Sequence, residues 1–222
     1  MSSGLTVGMG GLKVVESTGL LNMGLHDACE TGDYEEMERL LEQGAEVDGE
    51  NRFERTCLLE AVMRDDQEMA EFLVEKGADV NATSERLQGW TALHEACRQK
   101  DPEMVEMLLE SGADVDAEWK ETLKRRPLHE ALSGGICSVK VVQLLLCNMA
   151  DPWAKDGKGM SAMKLARKKK ESWQREELEK LIKQAKSCWV KEKREKEDEE
   201  WGLEPPLMED YGEEQEEDES VF

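Results

Sequence analysis

The sequence predicts an all-α fold: a solenoid of stacked helix-turn-helix units joined by loops, flanked by disordered tails. Three observations predict it. First, Leu93-His94-Glu95-Ala96 recurs as Leu128-His129-Glu130-Ala131, with looser copies at Leu25-His26-Asp27-Ala28, Leu58-Leu59-Glu60-Ala61 and Met163-Lys164-Leu165-Ala166. The alanines at 28, 61, 96, 131 and 166 are spaced by 33, 35, 35 and 35 residues. A fixed period of this size marks a stacked array. Second, about ten residues after each alanine come paired apolar residues, Leu40-Leu41, Leu73-Val74, Leu108-Leu109 and Leu145-Leu146. Third, a Gly-Ala dipeptide closes three of the units, at Gly44-Ala45, Gly77-Ala78 and Gly112-Ala113. Glycine is the usual residue where a helix ends in the left-handed conformation.

In order along the chain, residues 1–22 read as a flexible leader, with glycines at 4, 8, 10, 11 and 19. The first unit opens Met23-Gly24-Leu25-His26, without a threonine before the histidine. The third unit is the most regular. The fourth has Arg126 in the threonine position, Met149-Ala150-Asp151 in place of the Gly-Ala, and two extra residues around Ser133–Ser138. Its local cap is expected to be weak and its joint the loosest in the interior. The fifth has Lys164 where the histidine stands, and its second helix is expected to start near Trp173. Leu178, Leu181, Ile182, Ala185, Cys188 and Trp189 give that helix an apolar face at helical spacing, which reads as a cap over the stack. Atypical end units are expected because each must show one face to water.

Thr91-Ala92-Leu93-His94 with Ala96, and Arg126-Pro127-Leu128-His129 with Ala131, resemble the ankyrin signature T-P-L-H-x-A. Gly77-Ala78-Asp79-Val80-Asn81 and Gly112-Ala113-Asp114-Val115 resemble the ankyrin segment that leads into the finger loop. The resemblance covers about residues 23–190, as repeats near 23–55, 56–90, 91–125, 126–160 and 161–190. It implies an L-shaped stack of helix pairs with protruding β-turns. It also implies that the histidine orders its turn through the neighbouring threonine and loop, and that proteins bind the concave side.

Composition narrows the function. The net charge is −22, with −16 on residues 1–163, +7 on 164–196 and −13 on 197–222. This balance argues against nucleic acid as a partner. No apolar run is long enough for a membrane span, and the first residues lack a secretory pattern. The expected compartment is therefore cytoplasmic, with the basic cluster Arg167-Lys168-Lys169-Lys170 as a nuclear-import alternative to a solvated helix end. The six cysteines include no C-x-x-C, and Cys29 and Cys97 read as packed structural thiols. His26-x-x-Cys29 and His94-x-x-Cys97 repeat with the array, so they do not converge as one metal site needs. No nucleophile elbow, P-loop or dinucleotide fingerprint is present. The chain reads as a non-enzyme with no catalytic residue, cofactor or metal.

Carried over from the family by position, the partner-binding residues are Arg52, Phe53, Arg55, Leu87, Trp90, Arg125 and Lys158 on the fingers, and Met63, Arg64, Arg98, Lys168 and Lys169 on the first helices. Eight of these are cations, against the single acid Glu30 at matching positions. A basic stripe of this kind suits an acidic segment with aromatic or aliphatic anchors. The leading reading is an adaptor or inhibitor; the alternative is a structural subunit or assembly chaperone of a larger complex.

Residues 191–222 read as a charged helix extension followed by an acidic tail. The tail, 197–222, has thirteen acids and no Lys or Arg, with Trp201, Leu203, Leu207, Met208 and Tyr211 spaced among them. Such a segment does not bury enough apolar area to fold alone. It is the type of ligand expected for the stripe, so an intramolecular contact is a further expectation. Its last residues, Ser220, Val221 and Phe222, resemble a C-terminal peptide ligand of PDZ domains.

Overall fold

The computed structural model describes residues 10–83, 88–120, 124–135 and 137–201, with side chains described within 18–186. Ten helices form five antiparallel pairs among these residues: α1 (Gly10–Thr31) with α2 (Tyr34–Glu42), α3 (Cys57–Met63) with α4 (Gln67–Glu75), α5 (Ala92–Gln99) with α6 (Pro102–Glu110), α7 (Pro127–Ala131) with α8 (Val139–Cys147), and α9 (Ala162–Arg167) with α10 (Ser172–Trp201). None of them is long and apolar enough to cross a membrane. Helix α1 begins at Gly10, inside the segment expected as a flexible leader. Leu12 through Leu21 contain no proline, so nothing blocks propagation from the packed Leu25 turn, although Val14, Val15, Ser17, Thr18 and Gly19 are weaker helix formers.

Side-chain caps set where the helices start. Thr56 and Thr91 accept the N–H of Leu59 and His94 at the heads of α3 and α5. On the outer row, Asp33, Asp66, Asp101 and Ser138 accept from Glu36, Met69, Glu103 and Val141. Each replaces solvent at an otherwise unpaired donor. The outer helices stop alike: Ala45, Ala78, Ala113 and Ala150 donate back to Leu40, Leu73, Leu108 and Leu145 at 2.9–3.0 Å. The residue before each alanine has positive φ, and it is glycine in three units. In the fourth it is Met149 at φ 66°, which has to bear the left-handed conformation with a side chain.

The repeat letters build the core. Ala28, Ala61, Ala96, Ala131 and Ala166 are all buried, where inner helices of successive units pack. Leu25, Leu58, Leu93 and Leu128 are buried beside them, and Leu40, Leu73, Leu108 and Leu145 fill the space behind from the outer row. At the far end Leu178 and Ile182 of α10 are buried, with Leu181 and Ala185 packed against the core. Trp173 is exposed, and the side chains of Cys188 and Trp189 lie outside the described set.

Each repeat histidine ties its unit to the next loop. His94 Nε2 donates to Arg125 O (3.3 Å), while Nδ1 accepts from Thr91 N–H (3.2 Å) and Oγ1 (2.9 Å). His129 Nε2 faces Ala154 O (3.1 Å) and Met160 O (3.2 Å), and its Nδ1 accepts from Arg126 N–H. His26 Nε2 donates to Gly49 O (2.9 Å).

The fourth unit departs as its sequence does. Arg126 gives no side-chain cap and α7 is only five residues long. The arginine instead reaches Asp116, Glu118 and Asp151 at 3.0–3.4 Å, joining the third and fourth loops. Its irregular loop is tied down from the fifth unit. Lys169 Nζ donates to Gly134 O (3.0 Å) and Ser133 O (3.5 Å), and Gln174 donates to Cys137 O (2.8 Å). The joint expected to be loosest thus carries three cross-unit bonds.

Candidate protein-interaction surface

The first finger is organised by Asn51. Its Oδ1 accepts from Phe53 N–H (2.8 Å) and Arg55 N–H (3.2 Å), and its Nδ2 donates to Glu60 (2.8 Å). Glu54 turns the chain at φ 57°. The tip is thereby fixed on α3, with Phe53 turned outward at 47 % exposure. Arg52 and Arg55 lie over its ring, 4.9 and 5.7 Å from the centroid. Such contacts hold both guanidinium groups near an apolar surface. Met63, at the end of α3, is 37 % exposed. Asp156 builds the fourth finger in the same way, accepting from Lys158 N–H (2.9 Å) and Met160 N–H (2.8 Å). Neither Asn51 nor Asp156 stood out in the sequence. The signal was there, because they occupy the same position three repeats apart.

Fingers two and three brace each other. Lys120 N–H donates to Gln88 O at 2.6 Å. Gly89, at φ 94°, passes so close that a Cβ there would meet Glu118 O at 2.4 Å. Trp90, expected as an exposed anchor, is half-buried between His94 (stacked, 5.2 Å) and Trp119 (edge-on, 4.9 Å). It is a packing residue of the finger base. Leu87 lies outside the described residues, as do Ser220, Val221 and Phe222.

The expected basic stripe is corrected by the repeat glutamates. Glu60, Glu95 and Glu130 are buried on the inner helices, and each holds an arginine. Arg64 meets Glu60 at 3.4 Å and Glu30 at 3.8 Å. Arg98 grips Glu95 through two N–H groups, which raises its own affinity for a proton. Arg125 pairs with Glu130 at 2.9 Å. Burial raises the pKa of Glu130, and Arg125 opposes that shift. Counting only position-matched residues missed these acids, although Glu60/Arg64 and Glu95/Arg98 stand at i,i+4 and i,i+3. The inner face is therefore a ladder of compensated pairs. Lys169 leaves the surface altogether: it is 4 % exposed and its amino group is spent on loop carbonyls, with burial lowering its pKa. Lys158 and Lys168 are exposed. Among the described residues, no carboxylate pairs with Arg52, Arg55, Lys158 or Lys168.

Stacked helix pairs, buried repeat histidines and ordered loop tips define a helical repeat array that presents a surface. The ankyrin repeat model matches residues 25–119 and 89–156, in three copies. That is more than half of the chain, which belongs to the ankyrin repeat family. No curated protein matches it at a significant level. Arrays of this family generally mediate protein–protein interaction.

Proposed function

We propose that this chain is a non-catalytic adaptor or inhibitor. It binds an acidic protein segment at the first finger and the adjoining end of α3. The carrying observation is Phe53 exposed beneath Arg52 and Arg55, two arginines that no described carboxylate neutralises. An aromatic or aliphatic side chain of the partner packs on Phe53 and Met63 while its acids meet the arginines. Aromatic residues including Phe, together with Met and Arg, are enriched at protein interfaces. Arg64, Arg98 and Arg125 already hold their own glutamates, so they orient donors for polar groups of the partner and add little net charge.

Affinity capture with quantitative mass spectrometry tests the reading. Arg52→Glu with Arg55→Glu is expected to lower recovery of specific partners roughly tenfold or more, as loss of a hot spot does. The melting curve should stay nearly in place, since Arg52 is exposed and Arg55 is only half-buried. Unchanged recovery overturns the proposal.

A further inference from the structure

Cys29 and Cys57 meet at the joint between the first and second units. Both are buried. The Cys29 thiol donates to the Cys57 carbonyl oxygen at 3.9 Å. His26 stands on the other side of Cys57, its Nδ1 3.4 Å from the sulfur. Because Nε2 donates to Gly49 O, the neutral ring carries its proton there and leaves Nδ1 as an acceptor.

This arrangement belongs to the first unit alone among the three histidines. In units three and four, Nδ1 accepts the N–H of the cap residue, Thr91 or Arg126. Helix α1 runs unbroken through Met23, the equivalent position, so that N–H is committed to the helix. The ring nitrogen is free for the neighbouring unit's thiol. Glu60 lies 3.9 Å from it, and Arg64 bonds the Cys29 carbonyl at 3.3 Å.

We propose that Cys29 and Cys57 form a reversible dithiol–disulfide site oxidised by hydroperoxides, with His26 as the base that takes the proton of the second thiol. The neighbouring Cys57 side chain, with support from Arg64, holds the Cys29 thiol below its ordinary range against the opposing effect of burial. The Cys29 side chain and burial push Cys57 up. Cys29 is therefore the first to ionise. Its thiolate attacks one oxygen of hydrogen peroxide, forming an S–O bond and expelling hydroxide, which takes the proton Cys29 released and becomes water. The product is a sulfenic acid. Cys57 then gives its proton to His26 Nδ1, and its sulfur attacks the Cys29 sulfur. The S–O bond breaks, the leaving hydroxide takes the proton from His26, and a second water forms. Two thiols and one peroxide become one disulfide and two waters. Both sulfurs are closed to solvent, so oxidation proceeds through opening of the terminal unit, the part of a repeat array that frays first. The disulfide fastens α1 to α3, the helix that carries Met63 and anchors the first finger.

The test uses the full chain with Cys147→Ser and Cys188→Ser, treated with hydrogen peroxide, alkylated and mapped by mass spectrometry. The expected product is a Cys29–Cys57 linked peptide that dithiothreitol reverses, with Cys97 and Cys137 still alkylatable after unfolding. His26→Gln keeps a donor for Gly49 O and removes the base. It should slow disulfide closure roughly tenfold or more, while a sulfenic-acid trap finds Cys29 oxidised at the wild-type rate. Cys57→Ser should accumulate the trapped sulfenic acid with no linked peptide, which keeps the idea testable if His26→Gln folds poorly. Absence of the linked peptide in folded protein, or equally fast closure in folded His26→Gln, overturns the proposal.

Discussion

Three histidines at one repeat position share a donor to the next loop but differ in what reaches their second nitrogen. His94 has the most complete set of partners and is fully buried. Burial holds its pKa down at about 4 from an ordinary 6.5, against the carbonyls that accept from it. His129 is lowered for the same reason. Both are neutral in the fold, whereas the unfolded chain protonates them near pH 6.5. The unfolded state thus binds more protons between pH 6.5 and 4, and the histidine contribution, full above that window, is lost as pH falls through it. Glu130 and Asp116, raised by burial, act in the opposite sense. Comparison with His94→Gln isolates the histidine. Chemical denaturation should show wild-type stability falling more across the window than the variant's, by on the order of 3 kcal/mol. Parallel profiles would show that His94 does not titrate on unfolding. The repeat register identified these histidines from sequence. It did not reveal that Nδ1 of His26 faces a thiol, because that depends on α1 continuing through Met23.

At the level of elements, the sequence announced where the array is irregular, and the structure shows how the irregularity is tied. Two extra residues between α7 and α8 were visible because Leu145 follows Ala131 by 14 residues, where Leu108 follows Ala96 by 12. Lys169 read as one of a run of surface cations, yet it is the one turned inward onto Ser133 and Gly134. Nothing in a run of basic residues distinguishes the buried member; only packing of the fifth unit does. Lys169→Met, which keeps the stem and removes the donor, should cost about 1–3 kcal/mol. Hydrogen exchange should speed up in 132–139 and in α9, and stay unchanged in α3 and α5. Uniform change across the array would point to a global effect. The same reasoning applies to the interaction surface. Its positions were legible from the repeat, but Glu60, Glu95 and Glu130 cancel much of the charge read there, and Trp90 is half-buried by Trp119 from the neighbouring finger.

For the molecule as a whole, each unit contacts its neighbours and stability is close to a sum of units and interfaces. Leu108, buried in the central unit, sits where a cavity weakens both sides. Leu108→Ala is expected to cost roughly 2–5 kcal/mol. Denaturation followed by far-UV circular dichroism should broaden as end units separate from the centre, and a sharp, unshifted transition would refute this. The acidic tail beyond Trp201 lies outside the described residues. The thirteen acids of the full segment 197–222 make it a candidate competitor for the first finger, and deleting 197–222 should raise partner recovery. The claim on which the functional account turns is that partners dock around Arg52, Phe53, Arg55 and Met63. Hydrogen exchange of the array, alone and with its captured partner, tests that most directly. Slowed exchange is expected in residues 51–55 and 62–66. Protection confined to the outer helices α2, α4 and α6, with the first finger unaffected, would contradict it.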